Sequence, residues 1–370
     1  MTVAETPSWR EALADEKFLA AILLTGLAAT LVESRALSAG LGAMVALTVL
    51  LVVVIICISI RVARHAERIA RKVGDPYGTM ILTLSAVLVE VLVLAIVLAH
   101  TDSPTLVRDT IYSAVMLDIN GILGLAALMG GLKHGEQSYN DDSARTYTAM
   151  ILTAMGISMV VPEFIDSSVW RHYSMFTIGA MITLYAVFLR MQTGPHSYFF
   201  SYSYPEKRRP KRPQTLDDEP PLAFSIGVLI LGVVAIGWLA EAMSTALREV
   251  ATGTGLPLAL IALLVAAISA GPEILTALRA ALANRMQAVV NIALGASLST
   301  VILTVPVMEA LALFNGQPFQ MAMTPVQTVM VAITLLVTAI NLNDGQTNAI
   351  EGLTHFVLFA TFIALTLLGV

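Results

Sequence analysis

Charged residues are scarce in this sequence. Asp, Glu, Lys and Arg make up 13% of its 370 residues, apolar residues make up 57%, and the mean hydropathy is +0.80. A soluble globular protein carries about 25% charged residues. This composition excludes a disordered chain, a coiled coil, a nucleic-acid-binding protein and an ordinary cytosolic enzyme. It favours a polytopic α-helical membrane protein, in which the placement of charge matters more than the net charge of −5.

Cysteine and enzymatic motifs are almost absent. Cys57 is the single cysteine and lies in an apolar run, which excludes a secreted protein stapled by disulfides. One cysteine and six scattered histidines do not predict a zinc or copper site. The sequence contains no H-E-x-x-H, no P-loop and no G-x-S-x-G motif. We therefore predict a protein that is not an enzyme, has no catalytic residues, holds no cofactor and binds no nucleic acid.

Long apolar runs are abundant. A helix needs roughly 20 apolar residues to cross the hydrocarbon core of a bilayer, and eleven segments approach or exceed that length. The predicted spans are 18–33, 38–60, 77–100, 108–130, 146–162, 173–191, 222–244, 256–278, 287–313, 324–341 and 348–369. The sequence thus predicts an all-α polytopic membrane protein with about 11 transmembrane helices and the lipid bilayer as its immediate partner.

The basic residues between these spans predict an orientation. With a cytoplasmic N-terminus, 17 of the 21 Lys and Arg residues fall in cytoplasmic connections and four fall on the other side. Cytoplasmic loops of membrane proteins carry this excess. The distribution favours eleven spans, a cytoplasmic N-terminus and a C-terminus on the opposite side.

One long connection, 192–221, holds six of the 15 prolines and divides the chain into six spans and five. Without the first span the halves have five each, and repeats with an odd number of spans must have opposite orientations in the membrane. We predict an N-terminal extra helix (1–36), a first five-helix repeat (37–191), a cytoplasmic linker (192–221) and a second, inverted five-helix repeat (222–370).

Two carboxylates occupy corresponding places in the two halves. Glu90 lies in the second helix of the first repeat and Glu273 in the second helix of the other. A carboxylate inside a bilayer costs at least a few kcal/mol and marks a functional site by default. Gly271-Pro272 could break the helix just before Glu273 and open backbone carbonyls to a cation. We predict that these two glutamates form a metal-cation site.

Oxygen-bearing side chains near the glutamates suit hard cations such as Ca²⁺ or Na⁺ and not soft metals. Asp118 is equally consistent with a helix-packing acid. For His355 the pattern favours a hydrogen-bonded packing histidine over a proton relay. Glu309 lies near the end of a span and is interpreted as interfacial. The predicted supporting ligands are Thr83, Ser269, Asp118, Ser297, Ser299 and Thr276, with His355 as the candidate relay.

Five stretches in order along the chain resemble one family, the ChaA-type calcium/sodium:proton antiporters of the cation/proton exchanger (CAX) group. The second resembles that group's G-G-x-[KR]-x-x-E-Q-x-[FY]-N loop, and the fifth resembles its D-G-K-[ST]-N-x-x-E-G stretch. The stretches are 74–91, 130–140, Pro272-Glu273, 294–307 and 344–352.

The resemblance implies an 11-span fold in which Glu90 and Glu273 bind a cation and, alternately, protons. It places Asp118 near a family Asn and Ser299 near a family Gln, and it implies the bacterial inner membrane. The amide of the family's G-N-x-x-E pattern is missing here, because Ala86-Val87-Leu88-Val89 precedes Glu90. This departure admits Na⁺ or K⁺ beside Ca²⁺ as the substrate.

These patterns predict a secondary transporter that exchanges cytoplasmic Ca²⁺ for external protons by alternating access, with inorganic cations as its partners. Two alternatives stay open. One is the same fold with Na⁺ or K⁺ as the main cation. The other is a passive cation channel, which the absence of a filter motif disfavours. The sequence leaves the oligomeric state open.

Overall fold

The computed structural model describes residues 16–74, 77–100, 103–193, 220–255, 257–316 and 319–369. Almost all of them are helical, and two two-residue strands pair with each other. The helices are α1 (Lys17–Ala39), α2 (Leu41–Val73), α3 (Tyr77–His100), α4 (Leu106–His134), α5 (Asp141–Phe164), α6 (Trp170–Thr193), α7 (Leu222–Thr254), α8 (Leu258–Ser269), α9 (Gly271–Leu282), α10 (Met286–Asn315), α11 (Pro325–Asn341) and α12 (Ala349–Leu367); the strands are β1 (Gln137–Ser138) and β2 (Gln346–Thr347).

The predicted all-α membrane fold is confirmed. Within these ranges, nine helices are long and apolar enough to cross a membrane. The bent pair α8 and α9 forms a further span, and α11 is an apolar helix of 17 residues. Each of the eleven predicted spans therefore contains an apolar helix. Two helices run well past their predicted ends, α2 to Val73 and α7 to Thr254, because charged residues continue a helix as readily as apolar ones. Both end at a glycine with positive φ, Gly74 and Gly255.

One compact unit comprises residues 1–101 and 203–255 and contains α1, α2, α3 and α7. The extra helix α1 packs on α2. At its start, the buried carboxylate of Glu16 lies 3.7 Å from Arg61, 3.1 Å from His65 and 3.9 Å from Arg68. These contacts fasten the N-terminal helix to the polar extension of α2.

The second compact unit comprises residues 102–202 and 256–370 and contains α4 to α6 and α8 to α12. Helices α4 and α12 approach each other closely in this unit. A Cβ on Gly131 would lie 2.8 Å from Ala349 Cα, and one on Gly352 would lie 2.7 Å from Ala127 C. Only glycine permits this approach, which explains why both family-like stretches contain glycine at these positions.

At one end of the second unit, three connections meet. β1 pairs with β2 in antiparallel register, Gln137 with Thr347, which joins the α4–α5 and α11–α12 connections. The buried Gln137 amide donates to Ala281 O at 2.9 Å and to Asn284 Oδ1 at 3.0 Å, which adds the α9–α10 connection. Gln137, from the 130–140 stretch that the resemblance singled out, thus holds this end together.

Tyr139 belongs to the same cluster. Its hydroxyl donates to Gln346 O at 3.1 Å. Burial, followed by the nearby carboxylates of Asp344, Glu351 and Asp141, raises its pKa above the ordinary value, so the hydroxyl keeps its proton and remains a donor.

At the opposite end of this unit, the α10–α11 connection contacts the α3–α4 connection and the C-terminal part of α5. The Gln320 N–H donates to Pro104 O at 3.0 Å, and the Met323 N–H donates to Met159 O at 2.9 Å. These five connections therefore fall into the two sets that alternating spans require. The first unit shows the same separation into two ends. Lys72 donates to Pro220 O at one end, and Arg248 donates to His100 O at the other.

The two repeats stay a prediction, and each compact unit draws helices from both. Two features favour them. The first helices of the two halves, α2 and α7, both have 33 residues. The third helices, α4 and α10, both contain a π-helical segment, Met116–Leu123 in one and Thr300–Thr304 in the other. Most of the predicted linker, residues 194–219, lies outside the described residues, including the basic run Lys207–Arg212.

Replacing Asn348 with Ala tests the cap of α12. Its Oδ1 accepts from the N–H groups of Ile350 at 2.9 Å and Glu351 at 3.2 Å, and its Nδ2 donates to Glu351 Oε1 at 2.9 Å. Loss of such a cap costs about 1 kcal/mol. We expect thermal unfolding in detergent to shift down by roughly 2–4 °C. The matched variant Asn343→Ala alters an exposed side chain of the same connection and should leave the unfolding temperature unchanged. If both variants lowered the unfolding temperature equally, Asn348 would not be the cap of α12.

Candidate functional site

Glu90 lies in the middle of α3, in the first unit. The helix around it is apolar, and the residue is only 5% exposed. The predicted supporting ligand Thr83 lies two helical turns earlier and is half-buried. The structure therefore places Glu90 where the sequence predicted it, as a buried carboxylate within a spanning helix.

Glu273 lies just after a helix break in the second unit. α8 ends at Ser269, α9 begins at Gly271, and their axes differ by 60°, so the predicted break is confirmed. Pro272 has no N–H, which leaves the carbonyl of Ile268 without its usual donor four residues later. The Glu273 side chain belongs to the first turn of α9.

The carboxylate of Glu273 is incompletely satisfied. Its Oε2 atom is fully buried and has no hydrogen-bond partner among the described residues. A buried polar atom without a partner is costly, and an ionised one far more so. A bound cation or a proton would remove this cost, and the broken helix supplies both a carboxylate and a freed carbonyl.

The other ligands predicted near Glu273 donate their hydroxyl protons to their own backbone. Ser269 Oγ donates to Ala266 O at 2.9 Å, and Thr276 Oγ1 donates to Pro272 O at 2.8 Å. Ser269 is half-buried, whereas Thr276 is exposed. Each hydroxyl oxygen retains lone pairs, so their part in cation binding stays a prediction.

Asp118 and Ser297 are brought together. Asp118 belongs to the π-helical segment of α4 and is 3% exposed. The buried hydroxyl of Ser297, in α10, donates to Asp118 Oδ2 at 3.2 Å. The hydroxyl of Ser299 instead donates to Gly295 O of its own helix at 2.7 Å. The pair Asp118–Ser297 thus joins α4 and α10, two of the three described helices that contain a π-helical segment. Such segments occur frequently at functional sites.

His355 is part of a buried polar network. It is 2% exposed, and its Nδ1 lies 3.0 Å from Asn120 Oδ1. Asn120 Nδ2 donates to Thr334 Oγ1 at 2.8 Å. With the amide in this orientation, His355 Nδ1 carries the proton and Nε2 is left as an acceptor. Nε2 is buried without a hydrogen-bond partner in the part of the chain that the structure describes.

Three polar residues of the second unit were not among the predicted ligands. Asn120 had a signal, since an amide two residues after Asp118 within a span is itself unusual. Thr334 had none, because threonine is common in membrane helices and nothing in its spacing marks a partner. Glu309 was interpreted as interfacial, yet it is only 4% exposed.

The sequence is similar to that of known ion exchangers. The profile of the family described as sodium/calcium exchanger protein matches residues 18–194 and 224–368. The y4hA protein of Sinorhizobium fredii is 31% identical over 265 residues, which cover 70% of this chain and 71% of the relative. The sodium-potassium/proton antiporter ChaA of Escherichia coli is 29% identical over 270 residues, which cover 70% and 72%.

The fold is also similar to that of solved exchangers. A crystal structure of a selenium-substituted Ca²⁺/H⁺ antiporter, YfkE, superposes with a TM-score of 0.74 and 19% sequence identity, covering 95% of this chain and all of the other. At that identity the likeness concerns the fold alone. The resemblance inferred from the five stretches is confirmed.

Proposed function

Because the chain belongs to the sodium/calcium exchanger protein family, we propose that it exports cytoplasmic Ca²⁺ in exchange for external protons. Glu90 and Glu273 bind the cation when ionised and carry protons when neutral. The observation that supports this most directly is the buried, unpartnered Oε2 of Glu273 beside a broken helix. Such a group needs a positive ligand, and both transported species are positive.

Competition for the same carboxylates couples the two fluxes. An ionised glutamate attracts a cation strongly in a medium of low dielectric constant. A protonated one has no net charge and binds the cation weakly, so it returns through the membrane at lower cost. Access to the glutamates then alternates between the two sides of the membrane, as in other transporters built from repeats. Because one group cannot hold both ligands, movement of one ion out requires movement of the other in.

The helix break at Ala270 contributes a second kind of ligand. The carbonyl of Ile268, which lacks its helical donor because of Pro272, is a hard oxygen of the type that Ca²⁺ and Na⁺ bind. Ser269 and Thr276 add hydroxyl oxygens on the same helices. In the second unit, Asp118 and Ser297 supply a further carboxylate and hydroxyl. We assign Thr83 the corresponding supporting place beside Glu90.

A monovalent substrate is the second candidate. The relative from Escherichia coli, 29% identical, is named a sodium-potassium/proton antiporter. In addition, Val87 and Ala270 stand where the family pattern has an amide side chain that would enlarge the ligand set. Fewer oxygens favour a cation of lower charge, since Ca²⁺ takes six to eight oxygen ligands.

Proton release from everted membrane vesicles separates these candidates. With an acidic interior reported by a quenched dye, Ca²⁺, Na⁺ and K⁺ are added separately at several pH values. We expect Ca²⁺ to restore fluorescence, with a lower apparent affinity at lower pH because protons compete. A response to Na⁺ or K⁺ alone would reassign the cation, and no response to any of them would contradict proton-coupled exchange.

We further propose that the chain lies in a bacterial plasma membrane with its N-terminus in the cytoplasm. In the second unit, Lys133 donates to Leu282 O at 2.9 Å and Arg145 donates to Asn343 O at 2.6 Å. Both basic residues thus belong to the end where β1 pairs with β2. By the positive-inside rule this is the cytoplasmic end.

A further inference from the structure

A cavity of about 190 Å³ lies in the second unit, at the end opposite to the β1–β2 pair. Its walls come from the end of α5, the α5–α6 connection, the first turns of α6, the C-terminal turns of α10 and the connection before α11. Its polar lining groups are Glu309, Asp166, Tyr173, Ser174 and Gln320. The volume holds several water molecules, since each occupies about 30 Å³ in the liquid. The space thus suits a small hydrated ligand.

Glu309 determines what kind of ligand fits. It lies two helical turns from the end of α10, lines the cavity and is 4% exposed. Its Oε2 is fully buried, and no hydrogen bond to it occurs among the described residues. No Lys, Arg or His of the described ranges forms an ion pair with it. A carboxylate buried without a partner is strongly destabilising unless a positive ligand accompanies it.

The surrounding groups supply more oxygens, and the two arginines near the lining are engaged elsewhere. Arg108 donates to the backbone oxygen of the lining residue Ala322 at 3.0 Å and pairs with Asp109 at 2.8 Å. Asp166 is held in place by the Ser168 N–H, which donates to its Oδ1 at 2.7 Å. The Tyr173 hydroxyl donates to Ile157 O at 2.6 Å, which leaves its oxygen lone pairs for a ligand. The nearby guanidinium of Arg171 stacks on Trp170, with its Cζ 5.6 Å from the ring centroid. Carboxylate, phenol and amide oxygens are ligands for hard cations.

We propose that this cavity is a second binding site, for an inorganic cation that keeps part of its hydration shell, with Glu309 as its charged ligand. A proton alone would need no such space, and an organic anion would be repelled by the two carboxylates. The inference rests on the proposed function only for the identity of the cation. If the positive-inside assignment holds, the site lies on the external end and holds the cation near its point of release.

Terbium luminescence tests the site directly. Tb³⁺ is a hard cation that binds oxygen ligands, and its emission rises when it lies beside an excited tryptophan. The chain has three tryptophans, so the purified full-length protein with Trp9→Phe and Trp238→Phe retains only Trp170 of the cavity wall. In that protein we expect saturable emission that excess Ca²⁺ suppresses.

Glu309→Gln in the same background should weaken Tb³⁺ binding at least about tenfold, and Glu309→Asp should restore part of it. Glu273→Gln and the exposed-site variant Glu241→Gln should leave the signal unchanged. Circular dichroism and thermal unfolding establish that each variant is folded. The proposal is overturned if emission is absent, if folded Glu309→Gln retains it, or if Glu273→Gln removes it. The luminescence assay measures cation binding and not transport. Binding in the cavity can therefore be established even if the protein shows no exchange. Equally, a negative luminescence result would leave the proposed exchange function untouched.

Discussion

Exchange is expected to fall at least about 100-fold when Glu273 or Glu90 is replaced by Gln. Gln keeps the size and polarity of the side chain but can neither hold a negative charge nor release a proton. Each glutamate is assigned both tasks, so each single variant should lose cation binding and proton return together. In Glu273→Gln the buried Oε2 would become part of a neutral amide, which removes the cost of a buried charge. We therefore expect the variant proteins to fold at least as stably as the wild type.

The measurement is cation-driven proton movement in everted vesicles, with protein levels matched by immunoblot. Glu241→Gln is the control, because Glu241 is an exposed carboxylate of α7, another membrane helix. It should retain wild-type exchange. Near-normal transport by Glu273→Gln or by Glu90→Gln would remove that residue from the mechanism, and normal transport by both would refute the proposed site.

Gly352→Ala is expected to prevent stable assembly of the second unit. The added Cβ would lie 2.7 Å from Ala127 C and 2.8 Å from Gly124 O, and it would overlap Leu128 N. All three are backbone atoms and cannot rotate away, so α12 must move from α4. Overpacking typically lowers the free energy of unfolding by about 1–3 kcal/mol. Because the collision here is with backbone atoms, we expect a loss of about 3 kcal/mol or more. The same shift would separate His355 from Asn120, whose contact joins the same two helices.

Folded yield by size-exclusion chromatography and thermal unfolding in detergent measure this effect. Gly179→Ala is the matched control, since a Cβ there meets no atom within 4 Å and Gly179 lies inside α6. It should be neutral or stabilising by up to about 1 kcal/mol, because alanine favours helix over glycine. If Gly352→Ala were as stable as Gly179→Ala, the close approach of α4 and α12 would be wrong.

Hydropathy made the number and order of the spans predictable from the sequence, because the bilayer requires a long apolar run for every crossing. The break before Glu273 was also predictable, since glycine and proline weaken a helix wherever they occur. The residues at which helices end were less predictable. The extension of α2 to Val73 carries Arg61, Arg64 and Arg68, which hydropathy assigns to a loop although arginine favours a helix.

Partners distant in sequence could not be predicted. Ser297 lies 179 residues from Asp118, and His355 lies 235 residues from Asn120. No spacing in the sequence predicts either pair, because each contact depends on how α4 packs against α10 or α12. Glu309 is a related case, since its burial had no signal in the sequence. Its position near a helix end predicts exposure, but the connection that covers it, around Gln320, has no pattern of its own.

Uphill proton movement tests the central claim most directly. Purified protein is reconstituted in liposomes with an internal pH indicator, and a steep cation gradient is imposed with the membrane potential clamped at zero. An exchanger is predicted to drive protons against a pre-existing pH gradient, in the direction opposite to the cation, and Glu90→Gln and Glu273→Gln should abolish this movement. If the cation flowed down its gradient while protons moved only downhill or not at all, the protein would be a passive pathway and the account would be contradicted.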